Sequence, residues 1–130
     1  MTRAFVILAG AFGFLGVAAG AFGAHGLRGR LSDEMLTIWN TAAHYQLVHA
    51  VALLGAAWVV DRFAGRCATA AGWLFAAGIV IFSGSLYLLA LTSVRWLGAI
   101  TPVGGVALLL GWIMLAAAAM AARGESHKSE

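Results

Sequence analysis

The chain has 130 residues, a formal net charge of +3, 62% hydrophobic residues and 10% charged residues. Soluble domains carry roughly a quarter charged residues, and one of this size buries only about two thirds of its chain's surface. The composition therefore excludes a soluble enzyme or carrier domain and makes the lipid bilayer the first partner. The basic residues lie scattered between apolar runs and form no stripe, which argues against nucleic acid.

The first uncharged run, Ala4 to Ala24, has 21 residues. At about 1.5 Å per residue it spans roughly 31 Å, the thickness of a hydrocarbon core. Arg3 ahead of it and Ala21-Phe22-Gly23 near its end resemble a secretory signal, but the run is long for a signal core, and a first membrane helix is expected. The second run, Met35 to Val60, follows a helix start: Ser32 as N-cap, then Asp33 and Glu34 in the first turn, where acids favour the helix dipole. Residues 32–44 are amphipathic, with Asp33, Thr37, Asn40 and His44 on one face. They either lie in the interface or form a protruding start to helix two. The segment from Asp61 to Arg66 reads as a short loop, and the third span covers 67–92. Cys67 is the only cysteine, so no intrachain disulfide and no C-x-x-C pair exist. Ser93 to Thr101 is a connection holding the interfacial pair Arg95 and Trp96. Thr101-Pro102 reads as a helix start, with Thr as N-cap and Pro at the first helical position. Helix four is expected over 102–122 and a polar tail over 123–130.

The expected fold is an all-α membrane protein: a single domain over 1–122 of four transmembrane helices in an up-down-up-down bundle. Arg3, Arg62, Arg66, Arg123 and Lys128 fall on one side and Arg28, Arg30 and Arg95 on the other, which favours both termini in the cytoplasm. Helix one carries Gly13, Gly16, Gly20 and Gly23 within roughly 80° of arc. Such a stripe lets a backbone approach closely, inside the bundle or in a homo-oligomer, and packing within the bundle is the simpler expectation.

Polar groups in hydrocarbon need partners. The candidates are Tyr45, Gln46 and His49 in helix two, Ser83, Ser85 and Tyr87 in helix three, and His25 and Thr101 at helix ends. Trp39, Ala42, Gln46, His49 and Leu53 share one face of helix two, with Tyr45 at its margin and His44 on the opposite side. His44 and His49 are five apart, unlike the i, i+4 pair of a zincin helix, so no metal site is expected. For the two serines the simplest expectation is a hydrogen bond to a carbonyl one turn back. For His49 it is a neutral imidazole bonded to a neighbouring hydroxyl or carbonyl, although an ionisable residue inside a membrane is also a functional candidate. Topology gathers these polar residues into one half of the bundle, the outer half on this orientation.

Gly20-Ala21-Phe22-Gly23-Ala24-His25-Gly26, then Trp39 with Tyr45-Gln46 and His49, resemble the small YgdD-like inner-membrane proteins, a domain of unknown function numbered 423. Phe82-Ser83-Gly84-Ser85-Leu86-Tyr87 and Thr101-Pro102-Val103-Gly104-Gly105 are similar to that family's other two motifs. The resemblance covers nearly the whole chain. It implies a four-helix protein of the bacterial inner (plasma) membrane and no activity, with recurrent residues at His25, Trp39, Tyr45, His49, Ser83, Ser85, Tyr87 and Pro102.

Three functions fit these residues. The first is a structural or accessory component, assembling as a homo-oligomer or within a larger membrane complex. The second is a small-solute or ion permease with a polar pocket in the outer half, although no Asp, Glu, Lys or Arg lies mid-membrane to couple transport. The third is a cofactor binder, with haem on His25 or His49, although no nucleophile–base pair or carboxylate dyad supports chemistry. The expectation is no cofactor, no metal and no catalytic residue.

Overall fold

A computed structural model describes residues 1–126. It contains α1 (Thr2–His25), α2 (Asp33–Phe63), α3 (Arg66–Thr92) and α4 (Thr101–Ser126), with a short 3-10 turn, Arg95–Ala99, ahead of α4. All four helices are long and apolar enough to cross a membrane, and no strand occurs among the described residues.

Each helix begins or ends beyond its uncharged run. Asp61 and Arg62 belong to α2, so the loop after it shrinks to Ala64 and Gly65. Residues 123–126, expected in the tail, continue α4, and 127–130 lie outside the described residues. The reason is general: a charge marks where hydrocarbon stops, whereas a helix stops only where its backbone bonding is interrupted. At Ala64 that interruption is a left-handed residue, φ 44°, whose N–H bonds the Val60 carbonyl.

Residues 32–44 continue helix two. Ser32 caps α2, its hydroxyl accepting from the Met35 N–H at 3.3 Å, and the helix runs unbroken for 31 residues. At about 1.5 Å per residue this is roughly 46 Å, longer than a hydrocarbon core, so the polar first turns protrude. Thr101 does not cap α4. It is the first helical residue, its hydroxyl turned back to Leu97 and Ser85, while the Val103 N–H bonds the Ile100 carbonyl.

Antiparallel α2 and α3 form the centre; α1 packs against α2, and α4 packs mainly against α3. Among the described residues α1 and α4 have no extended contact with each other. Small residues allow the close approach: Ala42, Ala50, Ala56 and Ala57 of α2 and Ala68, Ala71, Gly72 and Gly78 of α3 are all buried. Phe5 crosses from α1 onto α3, fully buried where a side chain at Gly72 would stand. With Leu53, Phe75, Ile79 and Leu108 it makes the apolar core. Outward faces remain oily, as Phe14 at 75% and Met120 at 69% exposure show, and lipid solvates them.

Candidate functional site

The glycines of α1 decide where α2 touches its backbone. A side chain at residue i of a helix shields the carbonyl of residue i−4, so a glycine uncovers it. A Cβ at Gly16 would meet Leu47 Cδ2 at 2.8 Å, and one at Gly23 would meet Trp39 Cδ1 at 2.7 Å. Beside each glycine, α2 donates to the uncovered carbonyl. Gln46 Nε2 donates to Phe12 O, four residues before Gly16, at 2.8 Å; Trp39 Nε1 donates to Ala19 O, four before Gly23, at 2.8 Å. Glycines, acceptors and donors all repeat at seven residues, so one clasp occurs twice along the seam. The expected four-glycine stripe therefore divides. Gly13 and Gly20 sit roughly 40–60° around the helix from Gly16, and among the described residues no other helix comes within 4 Å of a Cβ there.

Gln46 also ties in α3. Its Oε1 accepts from the Tyr87 hydroxyl at 2.8 Å, so one buried amide bridges three helices. The Tyr87 ring lies against Trp39, centroids 4.6 Å apart. Ser83 donates to Ala42 O of α2 at 2.8 Å, across the interface instead of one turn back, because alanine and serine let α2 and α3 approach closely. Ser85 does bond its own helix, donating to Phe82 O at 3.0 Å, and its hydroxyl lies 2.7 Å from that of Thr101 on α4.

His49 occupies a separate station between α2 and α4. Its Nδ1 lies 2.7 Å from the Tyr45 carbonyl, and Trp112 Nε1 donates to its Nε2 at 3.1 Å. A carbonyl accepts and an indole N–H donates, so these partners fix the neutral tautomer with the proton on Nδ1. Tyr45 stacks near-parallel on the imidazole and leans on Phe82.

The sequence-selected residues thus separate into three stations. Trp39, Gln46, Ser83 and Tyr87 join α1, α2 and α3; Ser85 and Thr101 join α3 to α4; Tyr45 and His49 face α4. His25 stands apart, exposed in the last turn of α1. Sequence reading missed Trp112 and the two carbonyl acceptors. The usable signals were an indole N–H that needs a partner in hydrocarbon and a glycine four residues past each acceptor. Among the described residues no buried side-chain nitrogen or oxygen lacks a partner, and no three His, Cys, Asp or Glu gather as metal ligands. His49 would have to release Trp112 before it could ligate an iron.

Four long apolar helices joined in this way define an all-α, multi-pass membrane protein. The model of the family described as "Protein of unknown function (DUF423)" matches residues 19–105, from the last turns of α1 into the start of α4. The UPF0382 membrane protein YwdK of Bacillus subtilis (strain 168) is 48% identical over 119 residues, covering 91% of this chain and 97% of its own. UPF0382 membrane protein SERP0230 of Staphylococcus epidermidis is 48% identical over 121 residues, covering 91% and 96%. SAB0533 of Staphylococcus aureus is 47% identical over 116 residues, covering 87% and 92%. The chain belongs to the DUF423 family. No solved structure matches it.

Proposed function

We propose that this chain is a structural or accessory component of the membrane, assembling with itself or within a larger complex, and that its polar residues hold helices together. The observation that carries the reading is that the buried polar side chains are consumed by one another and by backbone carbonyls. A solute path needs polar groups free to exchange partners, and a catalytic site needs a group aimed at open space. Transport is tested by reconstituting the full chain in vesicles and measuring ion and small neutral solute flux. The reading expects none above protein-free vesicles; flux abolished by His49→Ala with stability unchanged contradicts it. Assembly is tested by cross-linking in cells, which should trap a defined stoichiometry or partner.

The same reading places the chain in the bacterial inner (plasma) membrane with both termini cytoplasmic. Arg3, Arg62, Arg66 and Arg123 fall on the terminal side, against Arg28, Arg30 and Arg95 on the other, where Arg95 pairs with Glu34 at 3.4 Å, beside Asp33. Reporter fusions at Gly29 and Gly98 should register as external; a cytoplasmic signal from both reverses the orientation.

A further inference from the structure

A cleft of about 440 Å³ opens sideways between α2 and α4, walled by Tyr45, Phe82, Pro102, Val106, Leu109 and Trp112. That volume lies within the roughly 300–1,000 Å³ of sites that hold small organic molecules. Its rim is exposed: Tyr45, Val106, Leu109 and Trp112 all show large outward areas. Pro102 stands at the start of α4 and Trp112 ten residues on, so the cleft runs roughly 15 Å, the depth of one leaflet. Its wall is hydrocarbon and aromatic ring, and the hydrogen-bonding groups of His49 and Trp112 are taken up by each other and by the Tyr45 carbonyl. One polar group is left over. The Tyr45 hydroxyl makes no hydrogen bond among the described residues. Helix side chains lean toward their N-terminus, so Tyr45 tilts toward the Asp33 end of α2, the end where Pro102 lies.

We infer that this cleft is a stoichiometric binding site for one glycerophospholipid of the leaflet at the Pro102 end. One acyl chain lies between Val106, Leu109 and Trp112, and its ester carbonyl accepts from the Tyr45 hydroxyl. A donor at interfacial height above an apolar groove one leaflet deep matches an acyl ester. A partner transmembrane helix would need a groove through both leaflets and about 10 Å wide. The site stands whether or not the chain is an assembly component, because retained lipid and cross-linked stoichiometry are read separately.

Gly105 allows a direct test. A Cβ there meets only the Phe82 ring, at 3.7 and 3.8 Å, so a larger side chain grows into the cleft without striking backbone. The full chain is reconstituted with phosphatidylethanolamine and phosphatidylglycerol, extracted in mild detergent, and examined by native mass spectrometry. One retained phospholipid per chain is expected. Gly105→Leu should lower retention about ten-fold or more, equivalent to about 1.4 kcal/mol. Tyr45→Phe, which removes one hydrogen bond, should lower it about five-fold. Gly13→Leu, on α1 away from the cleft where no other described residue lies within 4 Å of an added Cβ, should leave it unchanged. Should Gly105→Leu fail to fold by circular dichroism, Val106→Trp plugs the cleft from its exposed rim. Equal retention in wild type and the plugged variant overturns the proposal. So does a ring lipid or a second copy of the chain recovered at the cleft in place of a phospholipid.

Discussion

Where α1 meets α2, side chains reach across to bare backbone; where α4 meets α3, backbone meets backbone and ring. At the first seam, Gly16 and Gly23 uncover carbonyls that Gln46 and Trp39 occupy, and the atoms crowding a new Cβ belong to side chains, Leu47 at Gly16 and Trp39 with Asn40 at Gly23. At the second, a Cβ on Gly104 would land on the backbone of Phe82, and one on Gly111 would stand 2.7 Å from the Phe75 ring. Among the described residues its hydrogen bonding is confined to the Ser85–Thr101 hydroxyl pair near one end. Lipid offers helices little hydrophobic reason to associate, so a bundle must use hydrogen bonds or close packing. This chain uses mostly the first on one flank and mostly the second on the other.

The two seams should therefore break differently. Gly104→Ala should cost the most, about 3 kcal/mol, since neither helix backbone can yield locally. Reversible unfolding in bicelles would measure it, and unchanged stability would refute the steric account of that seam. Gly16→Ala should cost about 1 kcal/mol in the same assay, because Leu47 can rotate away. A loss as large as that of Gly104→Ala would make the seams alike. Removing the hydroxyl pair with Ser85→Ala and Thr101→Val should show a coupling of about 0.6 kcal/mol in a double-mutant cycle. Strict additivity would mean the pair joins nothing. Outside both seams, Ala64→Gly should raise stability by about 0.5 kcal/mol, because Ala64 holds a left-handed φ of 44° that glycine adopts without a Cβ clash. A drop would place the strain elsewhere.

The number, order and direction of the helices were legible because uncharged runs of bilayer length have no other stable home. The buried face of α2 was legible too, since Trp39, Ala42, Gln46, His49 and Leu53 keep a helical period. The Ser32 cap and the end of α3 at Thr92 were legible, but the end of α2 was not, because Asp61 and Arg62 mark an interface that the helix passes through. Partners were the least legible. Ser83 bonding Ala42 and Gln46 bonding Phe12 depend on how two helices are rotated against each other, and the acceptors are backbone atoms, of which Phe12 O is marked only by the glycine four residues on and Ala42 O by nothing. The division of the glycine stripe has the same origin: a rotation of a few tens of degrees separates Gly16 from Gly20.

The claim at the centre is that buried polar side chains bind helix to helix, and the Gln46–Tyr87 contact is its plainest instance. The direct measurement is the coupling energy between Gln46→Leu and Tyr87→Phe, from unfolding of the full chain in a lipid bilayer. A coupling of about 1 kcal/mol, with each single variant destabilised, is the predicted result. Two single variants as stable as the wild type, with no coupling between them, would contradict it.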